Sequence, residues 1–200
     1  MARSAKTDPI RNFKFQVTIN APGNTALGTS AQGLDKLGFA AMSGLSVQNE
    51  MVGYREGGMN THPHKFVGQS DFAPVTFSRG VFSKQDQMYK WQQFLHSWNQ
   101  ATGGSTSLDN DYRCDIVVKV YDHPISAGAY NDPGSLEGNT LQLGNARFGF
   151  KLYNCWPSAY SLSDLNAGDS GIIVQQLTVH HEGFVVAWSP EEIERLLTVD

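Results

Sequence analysis

The 200-residue sequence has only two cysteines, Cys114 and Cys155. Two are too few for a disulfide framework. Each sits in a strand-like run, which points to two buried, reduced thiols and leaves a bridge between neighbouring strands open. Charge is scarce, with 17% of residues charged against about 25% in ordinary globular domains. Nor is there an excess of positive charge. The formal net charge is −4, which weighs against a protein that grips nucleic acid by its phosphates. The longest apolar runs, such as Gly171 to Val174 and Phe184 to Trp188, fall far short of a membrane span. Met1 to Pro9 holds Arg3 and Lys6 but no apolar h-region, so it does not read as a signal peptide. The expectation is a soluble protein made in a reducing cytoplasm, without membrane insertion.

Motifs for catalysis are missing too. There is no GxSxG elbow, Walker A loop or Rossmann fingerprint. Gly103-Gly104-Ser105 lacks the lysine of a phosphate loop and reads as a helix stop. His180 and His181 are adjacent, so on a strand they point to opposite faces. His62 and His64 have no third ligand at suitable spacing, and a site needs three or four. Asp109-Asn110-Asp111 lacks the glycine and closing glutamate of a calcium loop. Asp164 to Asp169 reads as a turn. We therefore expect no enzyme, no metal and no cofactor.

What is present suits a core. The chain has 11 Phe, 7 Tyr and 4 Trp, and 40% of its residues are hydrophobic. One domain of this size buries roughly 70% of the surface its unfolded form exposes. Period-2 alternation is the dominant pattern. Phe13, Phe15, Val17 and Ile19 oppose Asn12, Lys14, Gln16 and Thr18. Cys114, Ile116, Val118 and Val120 oppose Arg113, Asp115, Val117, Lys119 and Tyr121. Phe148, Phe150 and Leu152 oppose Arg147, Lys151 and Tyr153. Ile172 to Glu182, Leu45 to Arg55 and Lys65 to Phe82 complete the predicted strands. Such one-sided strands make antiparallel sheet with one face in a core.

Two segments read as helix. Ser83 to Asn99 sets Met88, Trp91, Leu95 and Trp98 in one stripe, with Phe94 beside it and Ser83, followed by Asp86, as its N-terminal cap. Ser189-Pro190-Glu191-Glu192 gives Ser at N-cap, Pro at N1 and Glu at N3 of a short last helix bearing Ile193, Leu196 and Leu197. Two stretches read as long loops: about 21–37, Ala, Gly, Thr and Asn-rich over Ala21 to Gly33, and about 123–145, Gly, Asn, Pro and Ser-rich. The fold class is mostly β: an antiparallel sandwich or barrel with one flanking helix. The chain reads as a single domain, 1–200.

One segment is unusual. Gly53-Tyr54-Arg55-Glu56-Gly57-Gly58-Met59-Asn60 follows a strand, and Lys65 begins another. This reads as a long hairpin whose tip needs positive φ at Gly57 or Gly58. Arg55, Glu56, Lys65 and Arg79 bring both charge signs to its tip and base. The residues alone leave open an ordinary hairpin with a salt-bridged surface.

These residues carry a resemblance. Asp8-Pro9-Ile10-Arg11-Asn12-Phe13-Lys14-Phe15, Gly44-Leu45, Glu50, Tyr54-Arg55-Glu56-Gly57-Gly58, Asn60, Lys65 and Gly68 follow one another in order. Val75 to Val81 then leads into a Trp-bearing helix. Asn154-Cys155-Trp156-Pro157, Ser163 to Ala167 and His181-Glu182-Gly183-Phe184 come later. The series resembles the tail tube proteins of contractile-tailed bacteriophages, the T4-like tail tube family, related to inner tube proteins of contractile injection systems. It spans most of residues 8 to 184. The two long loops and the tail of about 185–200 look longer than the family core.

The resemblance implies a structural subunit. Six copies form a ring whose sheets join into a shared inner β-barrel, and stacked rings make a hollow tube inside a contractile sheath. Implied partners are further copies of itself, the tail sheath protein, and baseplate and tail terminator proteins. Genomic DNA passes the lumen without specific binding. The implied location is the virion tail, assembled in the bacterial host cytoplasm. The alternatives are an injection-system inner tube carrying protein effectors, or a single-ring tail or baseplate adaptor. A charge of −4 carried six times gives −24 per ring, a wall that lets a polyanion slide. Expected contacts between subunits or rings are Tyr54, Arg55, Glu56, Gly57, Gly58, Asn60 and Arg79. Trp91, Leu95 and Trp98 are expected to fill the core. Gln85, Lys90, Gln93 and Ser97 are the candidates facing the sheath.

Overall fold

A computed structural model describes residues 10, 12–21, 34, 37–58, 61–83, 85–100, 112–121, 146–168 and 170–198. Nine strands and two helices follow in chain order among them: β1 (Phe15–Asn20), β2 (Ala41–Ser43), β3 (Val47–Tyr54), β4 (His64–Phe72), β5 (Val75–Gly80), α1 (Gln87–Gln100), β6 (Cys114–Tyr121), β7 (Ala146–Leu162), β8 (Val174–His180), β9 (Gly183–Ala187) and α2 (Pro190–Thr198). Every pairing is antiparallel. Seven strands run in the order β1-β6-β7-β8-β5-β2, with β9 also on β7, while β3 and β4 form a separate two-stranded sheet.

The 17-residue β7 explains the architecture. Its first half pairs with β6 and β9, and its second half pairs with β8. The strand thus belongs to two sheets, β1-β6-β7-β9 and β7-β8-β5-β2, which fold over one another as a sandwich. The change of sheet falls where the strand is irregular. Asn154 takes a left-handed φ of 52°. The Asp115 carboxylate accepts its backbone N–H at 3.1 Å, and its side-chain amide donates to Glu182 at 2.6 Å. Pro157 follows, buried beside a register shift before Ala159, the kind of position where a strand tolerates proline.

The core lies between the sheets. Val17, Ile19, Ile116, Val118, Phe150 and Leu152 come from one sheet, and Val75, Phe77, Leu177 and Val179 from the other. The period-2 reading of β1, β6 and β8 holds at these residues. Leu34 and Leu37 are also core members, so the end of the 21–37 stretch is packed. The rest of that stretch, and 123–145, lie outside the described residues apart from Ala21. Helix α1 closes one end: Met88 and Trp91 are fully buried, and the Trp91 indole N–H donates to the Tyr112 carbonyl at 3.1 Å. The Trp98 side chain lies outside the described residues. α1 starts at Gln87, four residues after the expected Ser83, because Asp86 supplies the first intrahelical carbonyl, to Lys90 N–H at 2.9 Å.

The last segment packs on the sandwich. Residues 183–187 are β9, paired with the first half of β7. α2 starts as expected, with the Ser189 hydroxyl accepting from Glu192 N–H at 3.2 Å. The Glu192 carboxylate accepts from Trp188 N–H at 3.0 Å. α2 packs across β7, β9 and β6. It buries Ile193, Val117 and Lys151, and Lys151 pairs with Asp115 at 2.9 Å. The side of β6 and β7 opposite the core carries Arg147, Lys151 and Tyr153 in the sequence pattern. It is covered here, because Val117 and Gly149 leave a seat for Ile193, whose Cγ1 would stand 3.2 Å from a Cβ on Gly149.

Candidate assembly surfaces

β2 and β5 pair within the sandwich, and β3 and β4 continue the same two chain segments beyond it. Together they form one long arm, bent where it leaves the body. The bend needs glycine: Gly44 has φ +99°, and a Cβ there would stand 2.5 Å from the Pro74 carbonyl oxygen. One bond, from Ala73 N–H to the Ser46 carbonyl at 3.1 Å, spans the bend. Phe72 anchors the arm's base against Phe184 and His181, with ring centroids 5.9 and 5.6 Å away.

Beyond this anchor the arm is bare. Every residue of β3 is exposed. Cross-strand partners share a face, and β3 keeps its alternation through the register shift after Asn49, so Val52, Tyr54, His64 and Phe66 line one side with Gln48, Glu50, Gly68 and Asp71. Apolar side chains and two carboxylates share that side. Phe66 is 56% exposed and Val52 50%. The opposite side mixes Val47, Met51, Val67 and Phe72 with Asn49, Ser70 and Lys65. A two-stranded ribbon of this kind is marginal alone in water, and exposed apolar patches of such size mark interaction sites.

The expected contact residues divide. Tyr54 closes the last pair of the arm, and Arg55, Glu56, Gly57 and Gly58 follow as an exposed turn, with Gly58 at φ +94° as positive-φ glycine requires. Among the described residues neither Arg55 nor Glu56 makes an ion pair. Asn60 lies outside the described residues. Arg79 does not join them. It is 2% exposed, beneath the start of α1, where its guanidinium donates to Gln85 and stacks over Phe82, 5.4 Å from the ring centroid. Burial lowers its pKa. The reason is register: Val75, Phe77 and Arg79 share the core face of β5.

On α1, Lys90 and Gln93 are exposed on the side away from Met88 and Trp91, with Lys90 bridged to Asp86 at 3.2 Å. Gln85 is exposed but lies in the turn before the helix and holds Arg79. The Ser97 side chain lies outside the described residues. Two further surfaces were not anticipated. The outer face of β2, β5 and β8 presents Ala41, Ser43, Thr76, Ser78, Gln176 and Thr178, polar or small and uncharged. The end of the sandwich opposite α1 is open, as an apolar groove of about 850 Å³ lined by Phe13, Phe15, Met42, Val120, Phe148 and Trp188, among others. Phe13, expected within the first strand, lies before it and is exposed at this rim.

Buried groups elsewhere are quiet chemically. Cys114 and Cys155 are direct cross-strand partners, both free and buried. Burial pushes both thiols up in pKa. Among the described residues no group of three or more His, Cys, Asp or Glu could hold a metal, and no helix is long and apolar enough to cross a membrane.

The family model described as T4-like virus tail tube protein gp19 matches residues 11–185. The fold is similar to solved structures of contractile machines. One is the sheath–tube complex of an extracellular contractile injection system, PVC, in its extended state: TM-score 0.62, 18% identity, covering 92% of this chain and 95% of that one. Another is the tube-terminating cap of the anti-feeding prophage: TM-score 0.61, 20% identity, covering 94% and 100%. A third is that prophage's baseplate: TM-score 0.63, 15% identity, covering 90% and 97%. No curated protein sequence matches.

Proposed function

The chain belongs to the T4-like virus tail tube protein family, a family of structural tube proteins, and from this premise we propose how it builds a tube. The chain is a structural tail tube subunit. Six copies close a ring, rings stack, and the stack is a hollow conduit inside a contractile sheath through which the genome passes. Baseplate and terminator proteins bound its two ends. It acts in the virion tail, after assembly in the host cytoplasm.

The observation that carries this reading is the arm. A well-packed sandwich holds out two strands whose apolar side chains find no cover among the described residues of their own chain. Interfaces between copies are the physical remedy, and a patch that meets a different patch on the next copy generates rings or open stacks. Arg55 and Glu56 at the tip then set register, since opposite charges discriminate against misaligned partners. The domain is one unit, 1–200, with β9 and α2 integral to it.

The outer face of β2, β5, β8 and the second half of β7 is the wall of the lumen in this reading. Hydroxyl, amide and methyl groups there bind water and offer no cation to hold a polyanion. The opposite sheet is unsuited, because α2 covers it. Lys90 and Gln93 on α1 face the sheath.

Negative-stain electron microscopy over a concentration series tests the proposal. Hollow filaments of uniform width that lengthen with concentration are expected. Discrete rings that never stack would make the chain an adaptor instead. Arg55→Glu should stop filament growth; unchanged assembly and length would remove the tip from the contact.

A further inference from the structure

We propose that Cys114 and Cys155 form an internal disulfide site, closed by a small-molecule disulfide when the chain folds or opens in an oxidising medium. The inference stands on strand register and does not depend on the tube reading.

Register brings the two residues together. Cys114 opens β6 and lies directly opposite Cys155 of β7. Facing residues of an antiparallel pair have Cα atoms about 4.5–5.5 Å apart. That lies inside the roughly 4.4–6.8 Å that a disulfide spans. Both side chains enter the same core, at 3% and 0% exposure, so neither sulfur must cross the sheet to meet the other. The Cys114 thiol stands 3.9 Å from the Cys155 carbonyl oxygen. Burial first, and the facing Cys155 second, raise the Cys114 pKa.

The place also has slack. The register shifts between Cys114 and Ile116, and Asn154, beside Cys155, takes a left-handed φ. A ladder already irregular here can absorb the small shift that a bond between the sulfurs asks of it. Among the described residues, the start of β6 is held by the Arg113–Glu182 ion pair and by the hydrogen bond from Trp91 to Tyr112. A bridge would add a covalent tie between residues 41 apart in the chain. It would sit where β7 passes from one sheet to the other.

The chemistry is a thiol–disulfide exchange in two steps. One protein thiolate attacks the S–S bond of the oxidant, joins one of its sulfurs and releases the other half. The second protein thiolate then attacks the protein sulfur of that mixed disulfide and releases the second half. The protein gives up two protons and two electrons, and the oxidant becomes two thiols. Packing shuts the oxidant out of the closed core, so the attack takes place while β6 is open, during folding or a later opening. A chain made in a reducing compartment carries two thiols; one that folds or opens in an oxidising medium is stapled.

Glutathione redox equilibrium tests this on the full chain. The protein is returned from guanidinium to folding conditions in buffers of graded reduced-to-oxidised glutathione, starting once from reduced and once from oxidised chain. Samples are trapped with acid and read by mass, and a parallel series stays in guanidinium. A bond that fits the native structure forms more readily there than in the unfolded chain, by the factor by which it stabilises the fold. A typical native disulfide makes that factor roughly 30–1,000. The expected product is a monomer with one bond joining the Cys114 and Cys155 peptides, a native equilibrium constant larger by that factor, and a higher urea midpoint for the oxidised chain. A native constant no larger than the guanidinium one would mean that the register strains the bond, and would overturn the proposal. Glutathione adducts, or dimers linked between chains, in place of the internal bridge would overturn it too.

Discussion

Gly44 and Pro74 stand so close that a Cβ on Gly44 would lie 2.5 Å from the Pro74 carbonyl oxygen. This contact sets the angle at which the arm leaves the sandwich. Gly44→Ala forces both the clash and a positive φ on a residue with a Cβ. We expect a stability loss of about 1–3 kcal/mol in urea unfolding of the monomer, and a larger defect in assembly than in folding. A variant as stable as the parent would show that the bend does not depend on this glycine.

Trp91 is the second anchor, fully buried with its indole N–H satisfied by Tyr112. Trp91→Ala leaves a large cavity and an unpaired carbonyl, at a cost of roughly 3–5 kcal/mol. Trp91→Phe keeps most of the volume and should cost markedly less. Denaturant midpoints at fixed slope distinguish the two; equal losses would contradict the packing role.

Glu182 supports the irregular turn of β7. Its hydrogen bond from Asn154, aided by Arg113, holds its carboxyl below the usual range. Its unfolded value is about 4.3. A depressed folded pKa contributes stability that is present above the unfolded value and lost as pH falls through the folded one. Melting temperature should therefore drop in acid partly through this group. Glu182→Gln should flatten the acid limb, with its penalty visible near neutrality and shrinking at low pH. An acid limb identical to that of the parent would remove Glu182 from the account.

Cys114 and Cys155 are buried, and their pKa values are raised by that burial. The thiolate is the reactive form, so iodoacetamide should leave both untouched in native protein at mildly alkaline pH and modify both in guanidinium. Rapid native labelling of either, read by mass, would mean the strands open readily.

Much of this was legible in the residues. Alternation at Val17 and Ile19, at Ile116 and Val118, and at Leu177 and Val179 places three strands, since a half-buried strand must alternate. The Ser-Pro-Glu-Glu start of α2 was readable because capping is local chemistry. Positive φ in the Gly57-Gly58 turn was readable for the same reason. Arg79 was misjudged by its charge, although its spacing from Val75 and Phe77 already put it on the core face. The continuity of β7 was hidden, because it depends on Asn154 being held by Asp115 and Glu182, which are distant in sequence. The covering of β6 by α2 was hidden too, though Val117 on the supposedly polar face hinted at it. The bare arm was seen only at its tip, since Val52 and Phe66 read as ordinary strand residues until no cover is found for them among the described residues.

The central claim is that the side of the arm bearing Val52, Tyr54 and Phe66 drives assembly. Val52 and Phe66 are cross-strand partners on that side, exposed and outside the core. The double variant Val52→Asp, Phe66→Asp should fold with a denaturant midpoint close to that of the parent monomer. Viewed by negative-stain electron microscopy at concentrations where the parent forms hollow filaments, it should show only dispersed subunits. Filaments of normal width and length from this variant would contradict the account.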